Sequence, residues 1–147
     1  MAITGRSVSH EIFIWGEIAE QLDKREAFAR FWRDGARAPN ERDWIELIGD
    51  EPVLILLDEL PPYFDNALTI SVGSGNLAQV ATYALSNLLS AALKLRRCSV
   101  VLSNLSGTYE GASKQLRAAI RNFEQEANRQ ARPITLWSWP VARSTRS

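Results

Sequence analysis

Apolar positions recur along this chain with two periods, and each predicts a different kind of element. Ile12, Trp15, Ile18, Ala19 and Leu22 are spaced by three and four residues, which predicts a helix lying on a sheet with Glu11, Glu17 and Glu20 outward. Ala27, Phe28, Phe31 and Trp32 continue a helical pattern up to Asp34-Gly35, and Arg37-Ala38-Pro39-Asn40 is loop by composition. A short helix over residues 43–48, with Asp43 as candidate N-cap, ends at Gly49. The period then changes. Five unbroken aliphatics, Val53-Leu54-Ile55-Leu56-Leu57, run from Pro52 into Asp58-Glu59. A strand apolar on both faces belongs in the middle of a parallel sheet covered by helices.

Beyond the two acids, Pro61-Pro62-Tyr63-Phe64-Asp65-Asn66 reads as a turn at the edge of the sheet, because proline gives a ladder no donor. Residues 71–76 read as a flexible loop. Residues 77–95 predict a helix apolar nearly all round, hence covered on two sides. Residues 98–104 read as a second strand ending in polar Ser103-Asn104, and Lys94, Arg96 and Arg97 suit the negative end of the helix before it. Ala112, Leu116, Ala119, Ile120, Phe123 and Ala127 trace a further helix that Pro133 stops, and Ile134 to Trp137 opens a third strand. The order predicts an α/β fold, a parallel sheet with flanking helices, over residues 1–136. Residues 137–147 are irregular and differ in composition from the rest, which fits either a frameshifted end or a disordered tail.

Composition narrows the classes. With 147 residues, 46% of them hydrophobic, the chain can bury one core. Lys plus Arg equals Asp plus Glu at 17 each, so no net field draws in nucleic acid or an anionic membrane. One cysteine, Cys98, permits no internal disulfide and suits a reducing cytoplasm. Neither a secretory signal nor a membrane span is visible, and the expected location is cytoplasmic.

Carboxylates at the C-terminal end of a central strand sit where such sheets bind ligands. As a Walker B element, Asp58 is the candidate metal ligand for Mg²⁺, which takes only one or two protein carboxylates beside phosphate oxygens. Glu59 is the candidate that orients or deprotonates the attacking water. Asn104, with Ser103 as backup, ends the next strand and fits a sensor of the γ-phosphate, since its amide both donates and accepts. The plainer alternatives are an acidic turn after a buried strand and an Asx turn at Asn104. Arg129 and Arg132 are the candidate arginine fingers, with a surface role as the competing explanation.

Trp15-Gly16-Glu17-Ile18-Ala19 with Gln21-Leu22, the strand into Asp58-Glu59 with Leu60-Pro61-Pro62-Tyr63, and Thr108-Tyr109-Glu110-Gly111 resemble the family catalogued as domain of unknown function 499, large AAA-like ATPases. Over roughly residues 10–135, the resemblance implies part of a P-loop NTPase core of the AAA-like/ASCE kind, with ATP and Mg²⁺ as cofactors. It also implies a setting in bacterial phage-defence islands beside methyltransferase or helicase partners. Members carry a Gly-rich phosphate loop ahead of the matching segment, whereas no G-x-x-x-x-G-K-S/T occurs in this chain. Two functions follow as expectations. One is the Walker B and sensor portion of an ATP-hydrolysing protein, inactive alone and completed by the rest of its parent or by a homo-oligomer. The other is a non-catalytic module that docks through the apolar helix at 77–95.

Overall fold

The structure, a computed structural model, describes residues 1–103 and 113–130. Strand β1, Ala2–Thr4, opens the chain, and the apolar pattern does not predict it because three residues are too few to show a period. Helices α1 (Phe13–Gln21), α2 (Arg25–Phe28) and α3 (Glu41–Ile48) lead to β2 (Val53–Asp58). Helix α4 (Leu60–Ala67), a hairpin of β3 (Ser71–Val72) and β4 (Gly75–Asn76), and α5 (Leu77–Lys94) lead to β5 (Cys98–Leu102). Helix α6 (Lys114–Gln130) completes the described chain.

Local chemistry explains where the elements depart from expectation. The segment with Pro61-Pro62 is the first turn of α4 and not an edge turn, because proline is tolerated where the backbone N–H has no helical partner. Residues 71–76 form a short antiparallel hairpin rather than a free loop, turning at Gly73 with φ +56°. Asn40, not Asp43, caps α3. Its side chain accepts from the Asp43 amide at 3.0 Å while Asp43 accepts from the Asn40 amide at 2.8 Å, a reciprocal capping box. Asn76 and Gln79 make the same box at α5.

The sheet order is β1-β2-β5, all parallel, so the aliphatic strand is the middle one as predicted. Its two faces are not alike. Ile55 and Leu57 are fully buried, whereas Leu54 is 56% exposed and Val101, which pairs with Leu56 from β5, is 44% exposed. Strand order explains the asymmetry. Both crossovers step the same way across the sheet, and right-handed connections then place both sets of helices on one face. The expectation of helices on both faces is therefore corrected: among the described residues, one face is covered and the other is bare.

The covered face holds a single core. Trp15 on α1 donates its indole N–H to the Phe31 carbonyl at 3.1 Å, and Trp44 on α3 donates to the Ala84 carbonyl of α5 at 2.9 Å, so each buried indole has its partner. Gly16 lets α1 approach closely, since a Cβ there would lie 2.5 Å from Ile12 Cβ and 3.3 Å from the Trp32 ring. Helix α5 is walled in as expected, packing against α3, α4, α6 and β5. Its apolar residues are spent inside the chain, and Tyr83 and Leu93 are the large apolar side chains that this helix leaves at the surface. No helix among the described residues is long and apolar enough to cross a membrane. The strand expected at 134–137 and the tail at 137–147 lie outside the described residues.

Candidate functional site

Two turns meet at the C-terminal end of the sheet. Thr4, which ends β1, pairs in register with Asp58, which ends β2. The chain after β1 tightens into a 3-10 turn over Gly5–Ser7, tied by the Ser7 hydroxyl donating to the Thr4 carbonyl at 2.9 Å. The chain after β2 kinks at Glu59, whose backbone is left-handed at φ +51° and ψ +44°, before α4 begins. Such a conformation in a residue with a side chain is strained and tends to mark functional turns. Gly5 makes the meeting possible, because a Cβ there would lie 2.2 Å from the Glu59 carbonyl oxygen.

Asp58 is half-buried at the end of the middle strand. Its Oδ1 accepts from the Glu59 backbone amide at 2.9 Å and from the Ser103 hydroxyl. Ser103 follows directly on β5, and its own amide donates to the Leu57 carbonyl at 3.0 Å, extending the ladder by one step. Asp58 and Ser103 thus come together across two adjacent parallel strands, as the strand-end pattern predicts. Glu59 occupies the N-cap position of α4 but its side chain makes no capping bond; its carboxylate pairs with the Arg6 guanidinium at 3.2 Å. Both side chains of that pair are partly exposed, so the ion pair contributes at most about 1 kcal/mol.

The other candidates are placed less favourably or not at all. Asn104, Arg132 and the segment Thr108-Tyr109-Glu110-Gly111 lie outside the described residues. Arg129 stands in the last turn of α6 and pairs with Glu126 on its own helix at 3.0 Å, the solvated-face role. His10 is exposed and shares a hydrogen bond with the Asn66 side chain at 3.0 Å. Cys98 packs half-buried against the core, and burial pushes its thiol pKa up, which makes it a poor nucleophile. Tyr63, from the Leu60-Pro61-Pro62-Tyr63 segment, is buried with an unpartnered hydroxyl; burial pushes its phenol up as well.

Arg6 and Gly5 were not legible as site residues. A glycine and a hydroxyl residue flanking Arg6 are the only local signal, and without β1 nothing places that turn beside the acids.

A hydrated divalent cation fits this geometry in part. Among the described residues, no three or more His, Cys, Asp or Glu side chains gather into a metal cage. Mg²⁺ needs none, since one or two carboxylates with waters and phosphate oxygens suffice. The phosphate cradle is another matter. The turn at Gly5 is filled by the Glu59 carbonyl, and Gly73 and Gly75 belong to the β3–β4 hairpin, so neither offers an open nest of backbone amides. ATP does not fit the described residues alone. No protein-family model, curated protein or solved structure matches the chain, and the resemblance stated above rests on its own segments.

Proposed function

We propose that this chain is the Walker B and sensor portion of a Mg²⁺-dependent, ATP-hydrolysing AAA-like protein, without turnover of its own and completed by the rest of its parent. The observation that carries the proposal is the middle-strand carboxylate of Asp58, hydrogen-bonded to Ser103 at the end of the neighbouring parallel strand, with the strained Glu59 beside it. In this proposal Asp58 holds the cation, Glu59 orients the lytic water and the Ser103-Asn104 end reads the γ-phosphate. The parent belongs, in this proposal, to a phage-defence system, as the family resemblance implies. The one-sided sheet supports incompleteness: Leu54 and Val101 lie exposed with Leu56 half-buried between them, and the outer edge of β5 has no partner among the described residues. A non-catalytic module that docks through α5 is the weaker alternative, because α5 is consumed in the core.

The test has two stages. Genomic sequence upstream should contain an in-frame phosphate loop, and an uninterrupted coding region without one would overturn the proposal. With the intact parent, Glu59→Gln should retain ATP and lose turnover by roughly two to four orders of magnitude, the range expected on removing a general base. Turnover equal to the unmodified protein would remove Glu59 from the chemistry.

A further inference from the structure

Asp58 offers its two oxygens unequally. Oδ1 accepts from both the Glu59 amide and the Ser103 hydroxyl, and a carboxylate oxygen has two lone pairs to give. Oδ2 accepts no hydrogen bond among the described residues, and within them its lone pairs are unclaimed. The Ser103 backbone is itself fixed by its bond to the Leu57 carbonyl at 3.0 Å, which holds the serine Cα beside the carboxylate and leaves only the side-chain rotamer to choose.

We propose that Ser103 is a positioning residue for Asp58: with the Glu59 amide it saturates Oδ1, locks the rotation of the carboxylate, and presents Oδ2 alone to a divalent cation. This rests on the metal role proposed for Asp58 and gives Ser103 a different task from sensing phosphate. Its consequence is chemical. A carboxylate with one oxygen occupied binds a cation through a single atom, the mode octahedral Mg²⁺ uses while keeping its waters, and is poorly set for the two-oxygen grip common with Ca²⁺. The hydroxyl stands to the metal as the hydrogen-bonded partners behind metal ligands do elsewhere.

The experiment uses the full chain, labelled with ¹⁵N, and Mn²⁺ as a paramagnetic stand-in for Mg²⁺. Saturable broadening of the Glu59 and Ser103 amides is expected, and Asp58→Asn should abolish it. Ser103→Ala should weaken Mn²⁺ about tenfold, the lower end of the usual loss on removing a partner behind a ligand, while Ser103→Thr, which keeps the hydroxyl, should stay within roughly twofold. Thermal melts of the three proteins run alongside, and a purely structural serine would shift the melt but not the affinity of the folded protein. Equal Mn²⁺ affinity in Ser103→Ala and the parent chain overturns the positioning role and leaves the metal role of Asp58 standing. A threonine variant as weak as the alanine also overturns it. Absence of site-specific broadening in the unmodified chain sinks the metal role, and the positioning role with it.

Discussion

Replacing Gly5 with alanine tests whether the two turns that build the site touch as closely as the structure says. The φ of Gly5 is not positive, so its backbone is open to any residue; what is missing is space. A Cβ would stand 2.2 Å from the Glu59 carbonyl oxygen, 3.0 Å from the Glu59 carbonyl carbon and 3.1 Å from Leu60 Cα. A relaxed carbon–oxygen contact is about 3.3 Å, so the turns must separate by roughly 1 Å. All three obstructing atoms are backbone, and neither side yields freely, because Leu60 is fully buried and the Glu59 amide is bound to Asp58. Overpacking of this kind costs about 1–3 kcal/mol, and the lower entropy of the unfolded alanine chain returns about 0.4–1 kcal/mol. Because the obstructing atoms are backbone, the cost sits in the upper half of that range, and a net loss of about 1–2.5 kcal/mol lowers the melting temperature by about 2–10 °C at this chain length. Circular dichroism melts read the shift, and amide spectra should show displacement at Glu59 and Leu60. A Gly5→Ala protein melting within about 1 °C of the unmodified chain, with those amides unmoved, would refute the close approach.

Two more outcomes follow from the same geometry. Glu59→Gly should raise the urea midpoint by the equivalent of about 1 kcal/mol, because a left-handed backbone costs a residue with a Cβ about 1–2 kcal/mol and the lost Arg6 pair is partly exposed; a lower midpoint would contradict the strain. Lysine at both Leu54 and Val101 should leave the isolated chain's stability within about 1 kcal/mol and reduce its self-association in light scattering, whereas Leu57→Lys on the covered face should prevent folding. Equal damage from both faces would dismiss the one-sided sheet. In the intact parent, the same two lysines should block completion of the sheet and abolish ATP retention.

Much of the covered half of this fold was legible because its signals are local. The aliphatic run at 53–57, the long stripe at 77–95 and the stripe from Leu116 to Ala127 each carry their own period, and each became the expected element. The short pieces were not. At Pro61-Pro62 the same residue type breaks a strand and begins a helix, and only the left-handed turn at Glu59 decides which. The cap of α3 moved to Asn40 because Asn and Asp at spacing three satisfy one another, and a pattern of apolar positions does not register that reciprocity. The bare face was hidden for a different reason. An aliphatic run looks alike whether both faces are covered or one waits for a cover. The first of the segments that carry the family resemblance also proves to be a packing segment: Trp15, Ile18 and Ala19 fill the core and Gly16 permits close contact. Such positions preserve a fold and say little about chemistry.

Strand parity joins the candidate site to the bare face. Residues 54, 56 and 58 alternate onto one side of β2, and residues 99, 101 and 103 onto the same side of β5, with Leu54 opposite Ser99 and Leu56 opposite Val101. The hydrogen bond between Ser103 and Asp58 is the next rung of that series, in side chains instead of apolar contact. The uncovered apolar strip therefore runs directly into the carboxylate. Two strands about 4.8 Å apart match the roughly 10 Å width of one helix, and the rise from Leu54 to Asp58, about 13 Å, is spanned by about nine helical residues. One short helix suffices as the cover, and one of its ends must then lie beside Asp58. The direction of the existing crossovers fixes how it arrives. Right-handed connections that step from β1 to β2 to β5 can only fill the face already filled, so a helix that links two parallel strands across the bare face belongs to a connection that steps back the other way. A reversal of that kind creates the crevice at the strands' C-terminal ends where open α/β sheets take their ligands. Among the described residues, the strip without a cover ends at the carboxylate, and a connection that stepped back across the sheet would place Asp58 beside that crevice.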